Sequence, residues 1–175
     1  MPFVHIASVD SPIGSLRLAS TEAGLAYVAL PHASGRGLSG FLRRTLPEAT
    51  VTEGFAPNRV AAVQICEYLE GKRCAFALPL DLRGTPFQLE VWRALCEIPY
   101  GETRSYADIA AAVGRPAASR AVGAASGANP LSLVVPCHRV VASGGGLGGY
   151  AGGLDLKARL LAMERSRATG TQLLL

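Results

Sequence analysis

The chain has 175 residues, of which 49% are hydrophobic and 17% charged, so it is expected to be globular and not intrinsically disordered. Its 17 basic and 13 acidic residues give a net charge of +4, only a weak indication of a polyanionic partner. Residues 1–10 lack the regions of a signal peptide and no apolar run is long enough to span a bilayer, so a cytoplasmic protein without membrane contact is expected.

The first part of the chain has the pattern of a small α/β domain. Three strands separated by turn-forming residues predict an antiparallel meander, over Phe3–Val9, Ser15–Ser20 and Leu25–Leu30. Helices are predicted over 37–46 and from an Asn58 cap to Leu69, the second with an apolar face of Val60, Val63, Ile65 and Tyr68. A boundary near Arg83-Gly84 divides the chain into domains at 1–83 and 84–175.

The second part has helical patterns with clear start signals. Thr85 followed by Pro86 begins one helix, and Ser105 begins another that runs to Val113. After a tight turn a further helix is predicted over 117–126, which completes a helix-turn-helix pattern. A final helix is predicted over 154–165, with a core stripe of Leu154, Ala158, Leu161 and Ala162.

The second helix of that pair carries one long polar side chain, Arg120, among small residues. A major-groove reader needs several polar side chains, whereas small residues with one arginine suit the minor groove and the base stack. A small-residue helix packed in the core has the same pattern, and the residues alone leave both open. No acidic residue occurs over 109–154, while Arg115, Arg120, His138 and Arg139 fall inside that window, which favours a polyanion.

The stretch Pro136-Cys137-His138-Arg139-Val140 is the strongest candidate for chemistry. The apolar run 131–135 predicts a short buried strand that Pro136 ends, placing Cys137 at a loop edge beside cationic neighbours that would lower the pKa of its thiol. Alternation along an extended segment would separate Cys137 from His138, so a water would have to relay the proton. Glu164 is a candidate orienter of His138, although its spacing alone is more typical of a solvated surface carboxylate.

These motifs together resemble the O6-alkylguanine-DNA alkyltransferases, also called methylated-DNA–protein-cysteine methyltransferases, over Gly84 to Glu164. The residues that carry the resemblance are Gly84-Thr85-Pro86-Phe87-Gln88, Val91-Trp92, Ile98-Pro99-Tyr100-Gly101-Glu102-Thr103, Ser105-Tyr106, Arg120-Ala121-Val122-Gly123, Asn129-Pro130, Pro136-Cys137-His138-Arg139-Val140 and Gly148-Gly149-Tyr150. The resemblance implies an RNase H-like α/β domain with an antiparallel sheet, followed by a mostly helical domain with a helix-turn-helix.

The resemblance also implies the activity and the residues that perform it. Cys137 would accept an alkyl group irreversibly from O6-alkylguanine, and from O4-alkylthymine, once the base is flipped out of double-stranded DNA. His138 would deprotonate it through a water and Glu164 would orient His138. Asn129 would organise the turn before the cysteine, and Tyr106 would assist base rotation and donate a hydrogen bond to the leaving guanine.

Binding roles follow from the same resemblance. Arg120 would replace the flipped nucleotide, with Ser119, Ala121, Gly123 and Tyr106 also facing DNA. The base pocket would use the carbonyls of Cys137 and Val140, the Tyr150 ring, the Ala151 N–H and Gly152. Some relatives carry a hydroxyl residue at the position of Ala151, which puts the lesion preference in doubt. A single-turnover monomer without a cofactor is expected.

The four cysteines, Cys66, Cys74, Cys96 and Cys137, match no common zinc spacing, and with three distant histidines we predict no metal and free thiols.

Three other functions remain open. A protein that binds alkylated DNA without repairing it is disfavoured by Cys137, since such relatives lack the cysteine. A helix-turn-helix transcription factor is disfavoured by the small residues around Arg120. A thiol hydrolase would turn over repeatedly, and a stoichiometry measurement separates it from a suicide transferase.

Overall fold

The computed structural model describes residues 1–33 and 36–170, and the chain divides into two compact units. The first unit contains Met1–Gly84 with Pro130–Val134, and the second contains Thr85–Asn129 with the chain from Val135 onward. We had expected residues 130–134 in the second domain, because a linear boundary does not anticipate a short segment that joins the first unit. Leu131 in that segment forms a single β-bridge with Val28.

The first unit is built on a four-stranded sheet, and the predicted mixed α/β class is confirmed. Its strands are β1 (Phe3–Ser11), β2 (Gly14–Thr21), β3 (Gly24–Ala29) and β4 (Thr50–Glu53), in the order β3-β2-β1-β4. The first three form the predicted antiparallel meander, whereas β4 pairs in parallel with β1 at the sheet edge. The sequence did not reveal β4, because it is only four residues long and mostly exposed.

Two helices accompany this sheet, α1 (Gly37–Thr45) and α2 (Arg59–Leu69). Our prediction for the buried face of α2 is confirmed for Ile65 and Tyr68 and wrong for Val60 and Val63, which are 58% and 50% exposed. Together with Ala61, the buried Ile65 and Tyr68 follow the i, i+4, i+7 spacing of one helix face.

We predicted that the Asn58 side chain caps α2, but it forms no capping hydrogen bond there. It is buried, and its Nδ2 group donates to the carbonyls of His5 and Gly54 at 3.0 and 2.9 Å. It therefore links strand β1 to the start of α2 by tertiary hydrogen bonds.

The second unit is mostly helical. Its elements are α3 (Pro86–Cys96), β5 (Arg104–Ser105), α4 (Tyr106–Ala112), α5 (Ser119–Gly127), β6 (Val140–Val141) and α6 (Leu154–Thr169). The predicted caps are confirmed, because Thr85 and Ser105 both form capping boxes. The buried Trp92 Nε1 donates to the carbonyl of Ala125 at 2.8 Å and so fastens α3 to α5.

Helix α6 is rotated relative to its predicted core stripe. Leu154 is 49% exposed, and Ala158 and Ala162 are exposed as well. The buried residues are Lys157, Leu160, Leu161 and Glu164. Two charged side chains therefore occupy the inner face of this helix.

Two negative findings apply to residues 1–33 and 36–170. No helix there is long and apolar enough to cross a membrane. Nor are three or more His, Cys, Asp or Glu side chains grouped there so that they could hold a metal ion.

Candidate active site

The segment that leads to Cys137 is not the strand we predicted. Residues 132–135 form turns, Leu133 has a φ of 74°, and Cys137–Arg139 form one turn of 3-10 helix. The Cys137 N–H donates to the carbonyl of Val135 at 2.8 Å, which tightens the chain around Pro136. Burial of the apolar run is as expected, but a short apolar run does not by itself distinguish a strand from a buried turn.

Cys137 is buried, with only 8% of its surface exposed, and does not lie at an open loop edge. Burial raises the pKa of its thiol, while a hydrogen bond from Asn129 and the charge of Lys157 act in the opposite direction. Asn129 also donates through Nδ2 to the carbonyl of Val135 at 2.9 Å, so it braces the turn directly before the thiol. The resting protein therefore favours the protonated thiol, which needs a base before it can act as a nucleophile.

His138 lies against Glu164, and both are fully buried. The Nε2 atom of His138 is 2.8 Å from Oε1 of Glu164. Since carboxylate oxygens accept hydrogen bonds, we assign the proton to Nε2, and a neutral imidazole then carries its lone pair on Nδ1. Burial lowers the pKa of His138 despite the hydrogen bond and charge of Glu164, so the imidazole is neutral near pH 7 and can accept a proton.

Arg139 holds the same carboxylate from the other side. Its Nε and one terminal nitrogen donate to Oε2 and Oε1 of Glu164, both at 2.9 Å. Its second terminal nitrogen donates to the carbonyl of Ile98 at 2.8 Å, and the Gly101 N–H donates to Glu164 Oε2 at 3.3 Å. Glu164 is thus an internal, multiply bonded carboxylate and not the solvated surface residue that its spacing suggested.

His138 and Arg139, the cationic neighbours that we expected to lower the pKa of Cys137, do not supply a free positive charge beside the thiol. His138 is neutral and the charge of Arg139 is matched by Glu164. A cation that the sequence analysis missed is the buried Lys157, whose Nζ donates to the carbonyls of Val140 and Gly149 at 2.6 and 3.0 Å. One signal could have found it: Lys157, Leu161 and Glu164 recur at i, i+4 and i+7 and therefore share a helix face.

Tyr106, the first residue of α4, packs between two glycines, Gly123 and Gly148. A Cβ atom added to Gly123 would lie 3.8 Å from the Tyr106 ring, and one added to Gly148 would lie 2.6 Å from its hydroxyl oxygen. Gly148 also has a φ of 72°, a conformation that favours glycine. The absence of a side chain at Gly148 therefore lets the Tyr106 hydroxyl reach the glycine-rich turn formed by residues 143–153.

The turn that contains Ala151 and Gly152 is closed by the Gly153 N–H, which donates to the Tyr150 carbonyl at 3.1 Å. The Tyr150 ring meets the His138 imidazole edge-on, with centroids 6.3 Å apart. Burial, with the nearby charges of Cys137 and Glu164, raises the pKa of the Tyr150 phenol well above its ordinary value. The structure thus brings Tyr150 beside His138. The Val140 carbonyl, which we predicted to face the base pocket, accepts a hydrogen bond from Lys157.

Helix α5 separates into two faces. Val122 and Ala125 are buried, whereas Arg120 and Ala121 are exposed and Ser119 and Gly123 are half-buried. Arg120 therefore projects from the outer face, which argues against a wholly buried helix. The basic surface is smaller than the sequence suggested, because His138 and Arg139 are internal and Arg115 pairs with Glu90 at 3.3 Å.

Comparisons with known proteins agree with this geometry. Residues 86–166 match the family described as 6-O-methylguanine DNA methyltransferase, DNA binding domain. An inducible methylated-DNA–protein-cysteine methyltransferase of Bacillus subtilis is 48% identical over 148 residues, which is 85% of this chain and 83% of the relative. One from Methanosarcina barkeri is 46% identical, covering 90% and 95%. A crystal structure of Mycobacterium tuberculosis OGT in complex with DNA superimposes with a TM-score of 0.79 at 42% identity, covering 94% of each chain.

Proposed function

The chain belongs to the family of methylated-DNA–protein-cysteine methyltransferases, and we propose that it repairs DNA by moving the alkyl group of O6-alkylguanine, and of O4-alkylthymine, onto its own Cys137. The observation that carries this proposal is the single 3-10 turn that places Cys137 next to His138, with Glu164 bonded to the imidazole at 2.8 Å. A nucleophile, a neutral base and an orienting carboxylate are the parts that thiol activation requires.

The transfer is a direct displacement. His138 takes the thiol proton through a water, and Glu164 stabilises the imidazolium that forms. The thiolate then forms a bond to the alkyl carbon as the bond between that carbon and O6 breaks. The electron pair stays on guanine, which takes up one proton in exchange for the one that the thiol gave up. The Tyr106 hydroxyl, at the glycine-rich turn, donates a hydrogen bond to the guanine as it leaves.

The damaged base must leave the duplex before it meets a buried thiol, at a cost of a few kcal/mol. Arg120 is exposed on the outer face of α5 and would fill the vacated space in the stack. Ser119, Ala121 and Gly123 on the same helix leave room for the DNA backbone. Val140, Tyr150, Ala151 and Gly152 would bound the pocket that receives the flipped base.

The product is a thioether on Cys137, and the carbon–sulfur bond of a thioether is not easily broken. Each molecule would therefore act once, as a monomer and without a cofactor. The free thiols of Cys66 and Cys96 suit a reducing compartment such as the cytoplasm.

The test is intact-protein mass spectrometry after mixing with a duplex that carries one O6-methylguanine. We expect a gain of one methyl group, located on Cys137, that stops at one per molecule and is lost in Cys137→Ala. DNA binding without any mass gain would instead identify a protein that only recognises the lesion. Continued release of product by one molecule would identify a hydrolase.

A further inference from the structure

Lys157 is a lysine with no exposed surface on the inner face of α6. Burying an ammonium group is costly unless it is well bonded, so a buried lysine needs a structural or chemical reason. Here the Nζ group donates to two backbone carbonyls, those of Val140 at 2.6 Å and Gly149 at 3.0 Å. Their dipoles satisfy two of the three N–H donors of Lys157 but do not neutralise its positive charge.

The two carbonyls belong to segments on either side of the candidate site. Val140 follows the turn that holds Cys137, and Gly149 directly precedes Tyr150 in the glycine-rich turn. One ammonium group therefore ties the cysteine segment to the segment that carries Tyr150, Ala151 and Gly152. An apolar side chain of similar length, such as methionine, would remove the donor that the carbonyls of Val140 and Gly149 share.

The charge of Lys157 also acts on the thiol. Charged Cys137 raises the pKa of Lys157, against the dominant effect of burial, which lowers it. Each group thus favours the ionised form of the other. Other titratable or charged groups of the same site, in the part of the chain that the structure describes, include His138, Arg139, Glu164 and Tyr150. Of these, His138 is neutral and Arg139 is paired with Glu164, so Lys157 supplies a positive charge that no carboxylate within residues 1–33 and 36–170 offsets by an ion pair.

We infer that Lys157 is a positioning residue of the alkyl-transfer site, which holds the Val140 and Gly149 segments together and stabilises the Cys137 thiolate by its charge. The inference rests on the proposed function for its biological meaning. Its physical content concerns the reactivity of Cys137 toward any electrophile, which can be measured without DNA.

The experiment follows iodoacetamide alkylation of Cys137 against pH, in a background where Cys66, Cys74 and Cys96 are serine. Lys157→Gln keeps a hydrogen-bond donor without charge, Lys157→Met keeps only the length, and Lys157→Arg keeps the charge. We expect the pH midpoint of alkylation to rise by about one unit in the Gln and Met variants. At a fixed pH below the midpoint, this shift makes the reaction about tenfold slower. Lys157→Arg should recover at least part of the shift.

A matched control is Lys72→Met, since the chain has only two lysines and Lys72 is exposed and paired with Glu70. Unchanged midpoints in folded Gln and Met variants would overturn the inference, even if the rate fell uniformly at every pH. If those variants do not fold, a titration of ¹⁵N-lysine in the unaltered protein decides: a charged Lys157 at pH 7 supports the inference, and a neutral one overturns it. Failure of the unaltered protein to take a methyl group from DNA would refute the proposed function while leaving this comparison intact.

Discussion

Oε1 of Glu164 accepts hydrogen bonds from both His138 and Arg139, at 2.8 and 2.9 Å, with no part of Glu164 exposed to solvent. The carboxylate thus serves two cationic or potentially cationic groups at once. Its bond to His138 fixes the tautomer that leaves a lone pair on Nδ1. Its two bonds to Arg139 neutralise a buried guanidinium. The proposed base, His138, and the charge balance of the interior therefore depend on the same side chain.

Glu164→Gln should destabilise the protein severely, because Arg139 would remain buried without a counter-charge. We expect a loss of about 3–5 kcal/mol in the free energy of unfolding, measured by urea denaturation. The matched control is Glu67→Gln, which breaks the more exposed pair with Arg73 and should cost about 0–1 kcal/mol. Similar losses in both variants would contradict the special role of the buried cluster.

The start signals of α3 and α4 show what local sequence can predict. Thr85 and Ser105 cap their helices through residues three positions away, so every atom of the interaction lies in one short stretch. The meander β1–β3 was predictable for the same reason, since turn residues separate alternating strands. These features need no knowledge of distant parts of the chain.

Other features depend on partners far along the chain. Lys157 and Glu164 are polar residues on an inner helix face, and only their long-range bonds to Val140 and Arg139 explain why burial is tolerated. The turn at 132–135 was mistaken for a strand because apolar composition reports burial but not backbone shape. For the roles of Tyr106 and Tyr150, the family resemblance supplied what spacing and periodicity did not.

Gly148→Ala should displace the Tyr106 hydroxyl. The added Cβ would lie 2.6 Å from that oxygen, and the φ of 72° would add strain of about 1–2 kcal/mol. We expect slower methyl transfer from O6-methylguanine in duplex DNA, measured by single-turnover quenching. Gly145→Ala is the control, because it has a similar φ of 89° but its Cβ would meet nothing within 4 Å. Equal rates in the two variants would mean that the approach of Tyr106 to Gly148 is unimportant.

Arg120→Ala should weaken repair of duplex DNA far more than reaction with free O6-alkylguanine base. Arg120 is exposed on α5, and a free base does not have to be flipped out of a duplex. Removing Arg120 should therefore slow transfer only when the substrate is DNA. A reduction in DNA affinity of about 1–3 kcal/mol is expected, measured together with both transfer rates. Arg115→Ala, which removes a cation paired with Glu90, provides a comparison of equal charge change. Equal losses on both substrates would refute the assignment of Arg120 to the base stack.

Stability should fall as the pH drops below about 6.5, the ordinary pKa of histidine. Burial lowers the pKa of His138 in the folded protein, so the unfolded chain binds a proton first and is favoured as the solution becomes more acidic. Above that pH both states are neutral at this residue and the effect vanishes. The free energy of unfolding, measured by urea denaturation between pH 7.5 and 5.5, should therefore decrease toward the acidic end, above the ordinary range of carboxylates.

The other two histidines provide the control for this prediction. The chain contains His5, His32 and His138, so a double variant with His5→Gln and His32→Gln leaves His138 as the sole histidine. That variant should keep the acid-side loss of stability, because the buried imidazole is its source. Flat stability across the range in the double variant would show that His138 is not the titrating group. A second measurement on the same double variant is the titration of the His138 imidazole signals by NMR. Because burial lowers the pKa of His138, we expect a midpoint below 6.5.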